Sequence, residues 1–148
     1  MRRALQALLV LLIAGGSTQL TTSCSKPPPD GLPLAFQDLG GFDYTEKMKL
    51  PDQATKWNRK LVKATGFINP LSQPRNLTGF FLVRDRASCC FGKMPQMNHF
   101  INVKLKPGMK TDYSPDPVTV LGVLVVEERF DGDWPLGVYW MENAEVLK

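Results

Sequence analysis

Cys89, Cys90, Met94, Met97 and His99 fall within eleven residues, in the run Cys-Cys-Phe-Gly-Lys-Met-Pro-Gln-Met-Asn-His. This window holds two of the three cysteines, two of the six methionines and the single histidine. Thiolate and thioether ligands favour Cu(I), and imidazole suits copper or zinc. The five residues are therefore a ligand pool for Cu(I) or Zn(II). Their spacing is not that of paired CxxC zinc motifs. If a strand begins near Asn98, Met97 and His99 share one of its faces.

The same residues admit three other readings. Free cysteine packs as a small hydrophobe and methionine fills gaps, which needs no chemistry at all. A Gly/Pro/Met loop on the rim of a domain is also an adaptable surface for an apolar partner. The third is thiol redox chemistry. Adjacent Cα atoms are ~3.8 Å apart, below the ~4.4 to 6.8 Å usual for a disulfide. A Cys89–Cys90 bond would be strained and easily reduced, which suits a switch, and Arg84, Arg86 and Lys93 nearby would lower a thiol pKa. Hydrolytic chemistry has little to stand on. No GxSxG or HExxH motif is present, and a Cys90–His99 dyad has no orienting third residue. No catalytic residue is assigned; the expected role is binding or scaffolding.

The elements around this block begin with a leader. Arg2 and Arg3 precede an apolar run from Leu5 to Ala14, broken only by Gln6. At ~1.5 Å per residue the run is well short of the ~30 Å of a bilayer core, so residues 1–23 read as a signal peptide rather than a membrane span. Cleavage near Ala14, Gly15 and Gly16 would leave Cys24 an ordinary residue. Alternatively, Leu20-Thr21-Thr22-Ser23-Cys24 resembles a lipobox with Cys24 as the lipidated N-terminus, although Thr21 stands where Leu is usual. Residues 24–43 read as a Pro/Gly-rich, lipid-anchored tether, and Ser25 to Gly31 as an extended spacer. The expected location is the periplasmic or outer face of a bacterial envelope.

The full chain carries 18 basic and 14 acidic residues, a net charge of +4. Without Arg2 and Arg3 the balance is 16 against 14, or +2, too small a basic footprint to imply nucleic acid. The cluster Lys56, Arg59, Lys60 and Lys63 reads as a solvated face, with weak attraction to anionic lipid as the alternative.

Residues 44–148 are one domain's worth of chain. Tyr44 to Leu50 reads as a short strand, and Asp52 to Trp57 as a helical turn capped by Asp52. Five main strands follow: Lys60 to Ile68, Gly79 to Val83, Ile101 to Leu105, Val118 to Val126 with a bend or bulge at Gly122, and Val138 to Val146. Asp131-Gly132 supplies a turn, with Asp131 and Asp133 as turn formers. With no long helix between the strands, the expected fold is mainly β, a small five-stranded OB-like barrel, with a β-sandwich as the alternative.

Gly66-Phe67-Ile68-Asn69-Pro70-Leu71, Phe81-Leu82-Val83, Cys90, Pro95, Asn98 and Val118-Thr119-Val120 with Gly122 together resemble a bacterial family of domains of unknown function. Its usual pattern is GFxxPL, then FLLV, one cysteine and a Pro-rich run ending in Asn-Gln, in small exported or lipid-anchored proteins. The likeness spans roughly residues 55 to 147. Here Met94-Pro95-Gln96-Met97 replaces most of the Pro run, His99 stands for Gln, and Gly92 stands where the family often has His. The cysteine doublet is also similar, over about ten residues, to a motif of a bacterial membrane-associated family linked to metal regulation. The first resemblance implies an envelope-located, OB-like accessory domain working beside a membrane transporter.

Overall fold

The computed structural model describes residues 30–87 and 96–147. Cys24, Cys89, Cys90 and Met94 lie outside the described residues.

The element order is β1 (Leu32–Leu34), α1 (Phe36–Gly40), α2 (Asp52–Thr55), β2 (Lys60–Pro70), β3 (Gly79–Val83), β4 (Phe100–Leu105), β5 (Val118–Asp131) and β6 (Trp134–Leu147). Antiparallel pairing joins β2 to β3, β3 to β4 and β5 to β6, while β4 runs parallel to β6. β2 also pairs with β5, from Lys60↔Leu124 to Gly66↔Val118. The five main strands thus form a ring, β2–β3–β4–β6–β5–β2, and the fold is mainly β and OB-like as expected.

Strand alternation builds the core. Val62, Ala64 and Ile68 of β2 point inward, as do Phe80 and Leu82 of β3, Ile101 and Val103 of β4, Val120 and Leu124 of β5, and Tyr139 and Met141 of β6. The bend expected at Gly122 coincides with a register shift. Leu121 pairs with Glu145 but Val123 pairs with Glu142, so the extra residue is on β6, where Asn143 has φ +52°. Gly122 faces this bulge because a Cβ there would come 2.5 Å from Met141 Cγ. β5 and β6 run past their expected ends to a two-residue turn, Gly132-Asp133, with Gly132 at φ +61°.

Three local readings differ from the structure. The segment read as tether up to residue 43 contains β1 and α1. β1 pairs parallel with β2, Leu32↔Val62 to Leu34↔Ala64, and Leu39 of α1 is buried in the core. Pro33 is tolerated because β1 is an edge strand and needs no further donor. Tyr44 to Leu50 is not a strand; it turns at Glu46 and Lys47, with Lys47 at φ +60°. The Glu128 carboxylate of β5 accepts from the Tyr44 hydroxyl and, at 3.0 Å, from the Lys47 N–H, so a side chain does the work of a partner strand. Asp52 opens α2 but does not cap it: Pro51 holds the N-cap position and no side chain bonds there.

One buried polar contact ties the N-terminal elements to the last strand. The Tyr139 hydroxyl donates to the Leu39 carbonyl at 2.7 Å, inside the core. Burial pushes the Tyr139 phenol above its ordinary range. Tyr44 shifts the same way, through burial and then its bond to Glu128. In the unfolded chain both ionise near pH ~10. Above that pH the unfolded state releases protons that the folded state keeps, so stability falls as pH rises. Tyr139→Phe leaves the Leu39 carbonyl buried without its donor, at a cost of about 1 to 3 kcal/mol. In urea titrations we expect that loss at neutral pH. Above pH ~10 the variant's stability should fall less steeply than that of the parent; parallel profiles would contradict the burial argument.

Candidate functional site

Of the residues singled out for soft-metal chemistry, the structure describes Met97 and His99. β4 begins at Phe100, so both lie in the preceding turn rather than on one strand face. Met97 packs against the core, whereas His99 is exposed and its ring lies along Gly40, where a Cβ would come 2.9 Å from His99 Cδ2. Asn98 between them is buried; its Nδ2 donates to the Phe42 carbonyl at 2.8 Å, and its Oδ1 has no partner among the described residues. His99 lines a small cleft of about 180 Å³ with Phe36, Gly40, Arg84 and Asp85. Among the described residues, no three His, Cys, Asp or Glu side chains gather as a metal site.

A larger cleft, of about 500 Å³, lies on the outer face of β3, β4 and β6 and is walled by the β2–β3 loop. Strand alternation sets its floor. Asn102 and Lys104 of β4 and Trp140 and Glu142 of β6 point outward because their neighbours Val103, Tyr139 and Met141 point in. The wall is held in place by backbone bonds. Leu77 and Thr111 exchange N–H···O bonds of 2.7 and 3.0 Å, Tyr113 N–H donates to Pro74 O at 2.7 Å, and Asn76 N–H donates to Asp112 Oδ1 at 2.8 Å.

Arg129 is the centre of the floor. Its Nε lies 3.1 Å from Glu127 and its Nη1 3.0 Å from Glu142, and its guanidinium sits 4.4 Å over the Trp140 ring. Trp140 Nε1 in turn donates to the Glu127 carbonyl at 2.9 Å. Arg129 is thus neutralised by two carboxylates and spent on orienting Trp140. Lys104 makes no ion pair with any described residue. Asn102 Nδ2 donates to the Tyr139 carbonyl at 3.2 Å, which fixes its amide. The remaining polar lining is Ser72, Gln73, Asn76 and Thr78. Amides and hydroxyls beside an Arg-stacked indole can bind a polar ligand through neutral hydrogen bonds. Among the described residues, this cleft holds no histidine or cysteine.

A family model, "Protein of unknown function (DUF3299)", matches residues 34–148, most of the chain. The chain belongs to the DUF3299 family. The crystal structure of a DUF3299 family protein from Pseudomonas aeruginosa PAO1 is similar to it, at 19% identity over 84% of this chain and 98% of that one, with a TM-score of 0.54; that likeness concerns the fold. No curated protein matches the chain. The resemblance drawn from residues 55 to 147 therefore holds as membership of a family of unknown function, and the family model reaches further toward the N-terminus, to Leu34 of β1.

Sequence reasoning left the Arg129–Trp140 pair and its carboxylates out of any site. The available signal was the wet face of Ile101 to Leu105, where Asn102 and Lys104 alternate with buried residues. In OB-type barrels the face of the second and third strands carries the ligand, and in this DUF3299 domain those strands are β3 and β4. Arg129→Met should remove two partly exposed ion pairs, worth ~0 to 1 kcal/mol each, and uncover Trp140. We expect a small loss of stability and a red-shifted tryptophan emission that is absent when Arg129→Met is made in a Trp140→Phe background. Unchanged emission in the single variant would contradict the stacking role.

Proposed function

We propose that this DUF3299 protein is exported, lipid-anchored at Cys24 and held at the periplasmic or outer face of a bacterial envelope. There its OB-like domain binds a polar ligand, as an accessory to a membrane transporter. The leader, the Cys24 context and the Pro-rich spacer support export and anchoring. One observation carries the binding role, the 500 Å³ cleft with Trp140, Asn102 and Asn76 over the β3–β4–β6 face. Its volume falls within the ~300 to 1,000 Å³ range of small-ligand sites.

A short saccharide fits the lining best. It offers hydroxyls to the amides and hydroxyls of Ser72, Asn76, Thr78 and Asn102 beside the Arg129-stacked Trp140, and it carries no charge that must find a partner. The near-balanced charge of the mature chain supports the same choice over a nucleic acid. Of the five residues of the soft-metal reading, Cys89, Cys90 and Met94 lie outside the described residues, so the cleft, whose lining is described, carries the conclusion.

Titration with chitotetraose, followed by tryptophan fluorescence, should give a saturable change that is lost in Asn102→Ala and in Trp140→Phe. A flat titration would overturn the saccharide assignment. Mass spectrometry of the mature protein is expected to show a diacylated or triacylated Cys24 at the N-terminus; an unacylated end before Cys24 would refute the anchor.

A further inference from the structure

We propose that the outer face of β2 and β5 seats the domain on an anionic lipid bilayer. This proposal rests on the lipid-anchored reading and adds to it which face meets the membrane. The point where the chain enters the described domain gives the first observation. Gly31 has φ +72° and lies against this face: a Cβ there would come 2.7 Å from Leu121 Cδ1 and 3.2 Å from the Val62 carbonyl carbon. Cys24 is seven residues earlier. Even fully extended, at ~3.3 to 3.6 Å per residue, that stretch reaches at most about 25 Å. A lipid on Cys24 therefore keeps the β2–β5 face within about one domain diameter of the headgroups, whatever path the spacer takes.

The composition of the face is the second observation. Register pairs Leu61 with Val123 and Lys63 with Leu121, all on the outward side, because their neighbours Val62, Ala64, Gly122 and Leu124 are buried. Val125 continues the apolar strip, and Val123 is 42% exposed. A shallow groove of about 290 Å³ runs here, with Lys106 and Glu142 on its far side. Lys106 is taken by Glu145 at 2.7 Å.

Lys63 lies on this outward side; Lys56, Arg59 and Lys60 stand at the end of the barrel where β2 begins, Lys60 alternating onto the side of Val62. Lys56 lies 3.8 Å from Asp38; Arg59, Lys60 and Lys63 form no ion pair with any described residue. The ammonium groups of Lys56 and Lys60 lie 5.4 and 5.8 Å from the Trp57 ring. An apolar strip edged by unpaired cations is the pattern that meets headgroups and the acyl boundary together. Each lysine or arginine near an anionic leaflet strengthens attraction about fivefold. Three unpaired cations are weak alone, and an anchor that already holds the face at the membrane makes them sufficient by effective concentration.

The chain from Ser25 to Lys148 holds every described residue and carries no lipid. Its sedimentation with phosphatidylcholine vesicles, with and without phosphatidylglycerol, tests the face independently of acylation. We expect preferential binding to the anionic vesicles at low salt. It should weaken by about tenfold or more in Lys60→Gln/Lys63→Gln, and weaken also in Val123→Asp. Arg75→Gln/Lys110→Gln, equal in charge and placed elsewhere, should bind like the parent. Far-UV circular dichroism of each variant confirms that it is folded. No preference for anionic vesicles, or equal weakening by both double variants, would overturn the proposal. So would a dimer in sedimentation velocity that Val123→Asp dissolves while vesicle binding is absent, since a second copy would then cover the face. An unacylated native N-terminus together with vesicle binding would sink the anchor and leave the face standing; the reverse pair of results would sink the face alone.

Discussion

Closure of the ring around β2 is the constraint on which the rest of the structure depends. Residues 60–66 of this strand pair with β5 and residues 67–70 with β3. The strand therefore changes partners at Gly66, where a Cβ would come 2.5 Å from the Val83 carbonyl oxygen and 2.9 Å from Phe36. Because β5 takes one edge of Val62 to Ala64, the other edge is open for β1. A three-residue strand covers backbone groups there that would otherwise be a template for another chain. The core, the two outer faces and the position of the N-terminal segment all follow from this division of one strand among three partners.

The two outer faces of the ring then differ by what alternation places on them. Over β3, β4 and β6 the outward residues are amides, a lysine, an indole and paired charges, and the β2–β3 loop rises beside them to make a cleft. Over β2 and β5 they are Leu61, Leu121, Val123 and Val125 with lysines at the edge, and there the surface is shallow. The long β5–β6 pair belongs to both. It supplies Arg129 and Trp140 to the cleft and Val123 to the other face, and a further register shift falls between Val126 and Arg129, on the way from one to the other.

Much of the barrel was legible in the sequence because strand signals are local. Gly79 to Val83 is a short apolar run between breakers, and its bounds match β3. The alternation of Ile101, Val103 and Leu105 marks β4 to within a residue. What could not be read depends on distant partners. β1 hides in a Pro- and Gly-rich stretch because its three residues have no periodicity to show, and only the free edge of β2 makes them a strand. Tyr44 to Leu50 has the alternation of a strand but no strand beside it; Glu128, more than eighty residues away, takes the Lys47 N–H instead. The cleft escaped for a similar reason: Arg129, Trp140, Asn102 and Asn76 are unremarkable in sequence and meet only when the ring closes. The cysteine window drew attention by residue type, which indicates chemistry without geometry.

The bond from Tyr139 to Leu39 spans 100 positions of the chain. Pairings of such long sequence separation form late, since loop closure must be paid before they reward it. For a chain that emerges N-terminus first, whether from a ribosome or through a membrane, α1 has no finished core to enter until β6 has arrived. The barrel therefore cannot be completed piece by piece during synthesis. The ring cannot close until its last fourteen-residue strand is free, and the apolar residues of the core are exposed to association for that whole interval.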